Sequence, residues 1–267
     1  MDSSVQVRRW ITGLCLLCGI VAVLILGGRW GLLVVAASAV ILAQWELAHL
    51  LGGNHDRLRT TVCMVQAGCL PAAALWGGSH GLLGGVIGSL LLWMGVETVA
   101  RRDLEGVGTE LGRRMFALLY GGALPCFFVL LWRLPDGIHW ILWTISVTAL
   151  GDTAAYYVGS LWGKRKLMPR ISPGKTVEGA VAGLAGNGVG GFLYGWLLFP
   201  QAASPEGVVL ALVAGLAGQL GDLSESMLKR AAHVKDSSSI LPGHGGILDR
   251  LDSLVFSAPV VFFWTTG

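Results

Sequence analysis

Charge is what this chain has least of. Only 13% of its 267 residues are Asp, Glu, Lys or Arg, against about 25% in soluble domains. With 54% of the residues hydrophobic, there is too little polar surface to solvate a single globular core. Soluble folds are therefore excluded, and an integral membrane protein is expected. Zinc chemistry lacks its ligands: no Cys/His set has zinc spacing, and His233 and His244 stand isolated. The five cysteines (Cys15, Cys18, Cys63, Cys69, Cys126) all fall in apolar runs and read as small buried hydrophobes. Cys15-x-x-Cys18 has none of the thioredoxin-like context that a redox motif needs. Internal repeats, low-complexity tails and a soluble domain are absent too.

What the chain has in quantity is apolar sequence and glycine. A crossing helix needs about 20 mostly apolar residues. Nine segments meet that length: 10–28, 31–51, 60–77, 80–99, 115–132, 138–161, 176–199, 207–230 and 250–265. The expected fold is an all-α integral membrane protein, a polytopic bundle of about nine transmembrane helices. Arg8 and Arg9 before the first run resemble a signal peptide's start. The run is long and has no small-x-small cleavage site before Arg29, so an anchor is expected. Glycines at four-residue spacing, Gly81/Gly85, Gly84/Gly88 and Gly179, Gly183, Gly191, Gly195, favour close helix packing. They admit a homodimer without requiring one.

Basic residues set the orientation. With the N-terminus in the cytoplasm, all of the 19 Lys and Arg residues except Arg29 and Arg133 fall in inside segments. The first three inside clusters need no more than a topology signal and attraction to anionic lipid. The last two, Lys164–Lys175 and Lys229–Arg250, are denser and carry motifs.

The acids are arranged by depth. Asp152 and Asp222 lie in spans that both run from outside to inside. At 1.5 Å per residue each is roughly 21–23 Å in from the outer face. Asp249 and Asp252 stand three apart at the entry of the ninth span, on one helical face. Asp249 alone reads equally well as a helix cap, and Asp222 alone as half of a buried ion pair. On the eighth span Ala214, Gly218, Asp222 and Ser226 recur at four-residue spacing, a pattern that suggests a cavity wall. Glu46, Glu97 and His49 are read as fixing helix ends; Glu225 is ambiguous. Aspartate oxygens with water and substrate phosphate are the hard ligands that Mg²⁺ takes. Ser172-Pro173-Gly174-Lys175-Thr176 opens the seventh span with a Gly, a Lys and a hydroxyl suited to phosphate. It is not a Walker loop, because the preceding Gly and strand are missing. Gly243, Gly245 and Gly246 likewise let backbone approach an anion.

Residues Ser226 to Asp252 resemble the signature of the phosphatidate cytidylyltransferases, or CDP-diacylglycerol synthases. Ser226, Lys229, Arg230, Lys235, Asp236, Ser238, Pro242, His244, Gly245, Gly246, Asp249, Arg250 and Asp252 meet its constrained places. Asp152-Thr153-Ala154-Ala155-Tyr156, Gly163-Lys164, Ser172 to Gly179 and Gly221-Asp222 resemble the family's other shared block. The resemblance covers about 148 to 260; residues 1–135 resemble the family only in being hydrophobic spans. That divides the chain into an N-terminal transmembrane part, 1–135, and a catalytic transmembrane region, 136–267. Gly174 stands where the family usually has Lys, so one phosphate contact is absent or supplied by a neighbour.

The resemblance implies a nucleotidyltransferase that joins CTP and phosphatidate into CDP-diacylglycerol and pyrophosphate in phospholipid biosynthesis. It implies a Mg²⁺ site, with a second cation admitted, on Asp222, Asp249 and Asp252, and catalytic roles for these three and Lys229. Lys175, Lys229 and Arg230 would clamp phosphates; Ser172, Thr176, His244, Gly245 and Gly246 would shape the nucleotide pocket. Asp152 is a weaker metal-site or pocket residue, and Asp236 and Arg250 hold the loop. CTP, phosphatidate and membrane lipid are the expected partners, and nucleic acid is not among them. The short loops point to a bacterial inner membrane with the site facing the cytoplasm. A transporter would also carry intramembrane acids, but the charges crowd at one face. A CTP-dependent lipid kinase would differ in its products, phospholipid and CDP.

Overall fold

The structure, a computed structural model, describes residues 3–52, 57–100, 104–240 and 245–267. His244 of the expected nucleotide pocket, Pro242 and Gly243 of the same turn, and Arg101 and Arg102 of an expected inner cluster lie outside the described residues. The chain forms two compact units, Met1–Val129 with Asp236–Ile247, and Leu130–Lys235 with Leu248–Gly267.

In the first unit, α1 (Ser3–Leu50) and α2 (Arg57–Ala100) are each broken at a glycine, Gly28 (φ 52°, ψ −136°) and Gly78 (φ 63°, ψ −148°). Positive φ is open to glycine at no steric cost. The breaks fall where hydropathy ends the first and third expected runs. Within α2 the two halves run antiparallel. The Trp93 indole donates to Gln66 at 2.7 Å, and the Arg59 guanidinium donates to Glu97 at 2.8 Å.

The next helix starts earlier than expected. α3 (Val107–Ala117) already holds Arg113 and Arg114, which hydropathy puts before the span. Their charge is answered locally: Arg114 meets Glu97 at 2.5 Å and lies 4.4 Å over the Trp93 ring. The Gln44 amide donates to the Ala117 carbonyl at 2.5 Å. At that point the helix widens into a π turn, Leu118–Ala123, before α4 (Phe127–Trp132). A side chain that takes a ladder carbonyl is a usual cause of such a bulge.

The second unit contains α5 (Gly137–Trp162), a hairpin of β1 (Lys166–Met168) and β2 (Ser172–Thr176), α6 (Val177–Leu198), α7 (Pro205–Ala231), α8 (Leu248–Leu251) and α9 (Leu254–Thr266). The small antiparallel hairpin pairs Lys166 with Thr176 and Met168 with Ser172. It stands in a segment that an all-α expectation leaves as loop. α6 and α7 start at side-chain caps: Thr176 accepts from Gly179 N–H at 3.1 Å, and Ser204 accepts from Gly207 N–H at 3.1 Å, with Pro205 next. Buried polar groups lock α5 to α6. The Trp143 indole donates to the Gly191 carbonyl at 3.0 Å, and the Asn187 amide donates to the Val147 carbonyl at 2.8 Å. α9 begins at Leu254, later than the expected 250, because α8 and a turn intervene. Asp249 thus lies in α8 and Asp252 in the turn after it, rather than both on one face of a ninth span.

Among the described residues, five helices are long and apolar enough to cross a membrane: Ile25–Leu50, Arg57–Ala100, Val107–Trp132, Val177–Leu198 and Pro205–Ala231. The protein is a helical integral membrane protein.

Candidate active site

The site is built in the second unit from the start of α6, the C-terminal part of α7 and the α8–α9 turn. The hairpin delivers the first basic group. Val177 N–H donates to the Arg165 carbonyl at 2.9 Å. Glu178, in the first turn of α6, accepts from the N–H groups of Lys164 and Arg165 at 3.1 and 3.2 Å. These bonds tie the hairpin base to the helix start. From β2, Lys175 reaches the Asp222 carboxylate and pairs with it, each side chain 28% exposed. Thr176 is buried, and its hydroxyl is engaged as the α6 cap. It sets the direction of the segment carrying Lys175, and its oxygen already holds the Gly179 N–H. Ser172 pairs with Met168 at the other end of β2.

α7 brings the acids. Gly221, immediately before Asp222, packs against the backbone of the α8–α9 turn. A Cβ there would strike the Asp252 carbonyl and lie 3.0 Å from the Phe256 ring. A residue with any side chain would push α7 off that turn, so the Gly-Asp pair is what sets Asp222 beside Asp252. The Ala214 and Gly218 end of the stripe is a packing face: Ala214 is fully buried, its carbonyl accepts from Ser257 of α9 at 2.8 Å, and a Cβ on Gly218 would lie 2.9 Å from the Ser257 hydroxyl. One turn beyond Asp222, the Ser226 hydroxyl approaches its carboxylate at 3.4 Å.

Lys229 is the second basic group. Its ammonium donates to Asp249 at 2.5 Å and lies 2.5 Å from Glu225, whose two oxygens are buried without an aligned hydrogen bond. A lysine shared by two buried carboxylates cannot neutralise both. Glu225 is therefore part of the charge pattern, which the sequence leaves ambiguous. Asp252, outside the crossing helices, is pushed up to about 7, first by burial and then by the Asp222 carboxylate. The Ser253 N–H, bonded to it at 2.7 Å, works in the opposite direction. Asp152 also raises it. Asp152, Asp222 and Asp252 are thus neighbours in one electrostatic field, although they come from three separated stretches of chain.

Arg230 is used differently. Its guanidinium bonds the carbonyls of Ile171, at the hairpin turn, and Val234, at 3.3 and 3.1 Å. It braces the hairpin against the end of α7. Gly245 and Gly246 belong to the first unit, where Gly245 has φ 79°.

Carboxylates outnumber lysines here, and both lysines are already paired with acids. Among the described residues, no three His, Cys, Asp or Glu side chains converge into a closed metal cage. The donor chemistry nonetheless fits Mg²⁺, which usually takes one or two carboxylates and completes its shell with water and substrate phosphate. Asp222 and Asp252 would supply such a pair.

Acids and lysines gathered at the ends of apolar helices define a membrane protein with a densely charged site. The chain belongs to the cytidylyltransferase family, whose model matches residues 7–266. It is similar to the phosphatidate cytidylyltransferase of Synechocystis, 40% identical over 183 residues, which are 58% of this chain and 62% of that protein. It is also similar to the phosphatidate cytidylyltransferase of Bacillus subtilis, 43% identical over 157 residues, 58% of each chain. A third relative is the Escherichia coli protein YnbB, uncharacterised by name, 41% identical over 132 residues, 49% of this chain and 44% of that one. The matched stretches span about half to three fifths of these relatives.

Proposed function

We propose that the protein transfers the cytidylyl group of CTP to phosphatidate, giving CDP-diacylglycerol and pyrophosphate. The carrying observation is the acid and lysine constellation at Lys175, Asp222, Lys229, Asp249 and Asp252, within the residues that match the cytidylyltransferase family. The names of the relatives supply the reaction.

A phosphate oxygen of phosphatidate attacks the α-phosphorus of CTP. The bond from that phosphorus to the bridging oxygen breaks, and pyrophosphate leaves with the electron pair. The attacking oxygen needs no strong base, since a phosphate monoester has a second pKa of about 6. Two anions must instead be held together. Lys175 exchanges Asp222 for a phosphate oxygen, and Lys229 does the same from Asp249, so each binds the charge developing on the leaving group. Arg230 keeps the Lys175 hairpin in register with α7. Asp222 and Asp252 would then hold Mg²⁺, with Asp249, freed from Lys229, joining them or holding a second ion. When bound, Mg²⁺ neutralises and polarises phosphoryl oxygens. Ser172 borders the nucleotide in this reading, and Gly245 and Gly246 keep the role that the family resemblance gives them; His244 lies outside the described residues.

The same reading takes nine crossings, with breaks at Gly28 and Gly78 supporting two hairpins, and a cytoplasmic N-terminus supported by the distribution of Lys and Arg. It takes a bacterial inner membrane, supported by the bacterial relatives, with CTP arriving from the cytoplasm and phosphatidate from the bilayer. A monomer suffices for this chemistry; Gly84 and Gly88 leave one open face on α2 for a second copy.

The test is incubation of purified protein with CTP labelled in the cytidine or in the γ-phosphate, phosphatidate and Mg²⁺, with and without chelator. Cytidine label in lipid, with pyrophosphate released only when Mg²⁺ is present, is expected. Label from the γ-phosphate in lipid would indicate a kinase instead, and no lipid product would contradict the proposal.

A further inference from the structure

Glu46 lies in α1, far in sequence from the signature, and hydropathy reads it as a helix-end residue. In the first unit it is fully buried. Its carboxylate accepts from the Ser237 hydroxyl at 2.8 Å, the Ser238 hydroxyl at 2.7 Å and the Ile247 N–H at 2.8 Å. Those donors come from both ends of the Pro-Gly-His-Gly-Gly segment: two serines precede it and Ile247 follows it. Gly246 is held against the same group, since a Cβ there would strike the Glu46 carboxylate and the Ser237 hydroxyl. Glu97, the other acid set aside on sequence grounds, serves arginines of its own unit. His49 bonds the Trp45 carbonyl one turn back in α1 at 2.7 Å. Only Glu46 of the three bonds the signature loop among the described residues.

A buried carboxylate is expensive unless its oxygens are satisfied; here the satisfying donors are the loop itself. We infer that Glu46 is a positioning residue that clamps the two ends of the signature loop, whose glycines the family resemblance assigns to the nucleotide. This inference rests on the cytidylyltransferase reading for its kinetic consequence and on geometry alone for the clamp.

The clamp is tested by amide exchange in the full-length, lipid-reconstituted protein. In Glu46→Gln, which preserves size, the Ile247 amide should exchange at least tenfold faster, while amides of α7 keep their wild-type rates. Ser237→Ala/Ser238→Ala should loosen the loop partially and spares α1, which covers the case in which Glu46→Gln does not fold. Unchanged exchange at Ile247 in Glu46→Gln would overturn the clamp, as would unchanged loop exchange in the double variant if that is the one that folds. In steady-state assays KM for CTP should rise about tenfold, with KM for phosphatidate unchanged. A fall in kcat alone, in proportion to folded protein, would mark a purely structural role and overturn the inference. Wild-type protein without transferase activity would instead remove the proposed function, while exchange at Ile247 would still decide the clamp.

Discussion

Lys175 and Lys229 each hold an acid that the proposed reaction would need elsewhere. Asp222→Asn removes the partner of Lys175 and, in the proposed reaction, a cation oxygen as well. It should lower kcat by about 10²–10³-fold, the usual scale for losing one group that stabilises transition-state charge, with the protein still inserted and folded. Near-wild-type turnover in folded Asp222→Asn would take Asp222 out of the site. Lys229→Met acts on stability as well. It leaves Glu225 and Asp249 buried without their shared cation, and breaking such a pair from one side costs about 3–5 kcal/mol. A detergent melting curve should fall accordingly, and Lys229→Arg should recover part of it. Asp252 adds a pH dependence. Its folded carboxyl is raised from 3.8 to about 7, so the fold favours the protonated form. Stability from this group is full below pH 4 and is lost as pH rises through 7. A bound divalent ion reverses the sign, because it requires the ionised form. Melting temperature followed from pH 5 to 8 should therefore fall in chelator and hold or rise in Mg²⁺. The same slope with and without the ion would contradict Asp252 as a ligand.

At the scale of elements, the packing of α7 on the α8–α9 turn depends on one missing methyl group. Gly221→Ala would place its Cβ against the Asp252 carbonyl, and either helix or turn must shift. Turnover should drop more than stability, measured by kcat and melting of the same preparation, because the shift separates Asp222 from Asp252. Thr176→Ala removes the α6 cap and should cost about 1 kcal/mol, with a smaller effect on kcat than Asp222→Asn. Much of this was legible in the sequence. Hydropathy marks the helices and ends two of its runs at 28 and 77, beside the breaks at Gly28 and Gly78. The start of α3 was not legible, since hydropathy counts Arg113 and Arg114 as charges and cannot see Glu97 and Trp93 answering them. The Lys166–Thr176 hairpin is too short to carry a periodic signal, and α8 interrupts what reads as a single ninth span.

At the scale of the whole molecule, the sequence separates residues that the fold gathers. Asp152, Asp222 and Asp252 read as companions because of matched depth and the family signature. Glu225 and Glu46 do not, because their partners are 4 and about 200 positions away and neither spacing distinguishes function from a helix end. Membership of the cytidylyltransferase family over residues 7–266 extends a resemblance that is specific only in the second half of the chain. The account depends on these acids holding a divalent cation beside a nucleoside triphosphate. Electron paramagnetic resonance of Mn²⁺ added to lipid-reconstituted protein with CTP measures that directly. Wild-type protein should bind the ion, Mg²⁺ should displace it, and Asp222→Asn/Asp252→Asn should lose it. Equal Mn²⁺ binding by wild type and double variant, or none by wild type, would contradict the account.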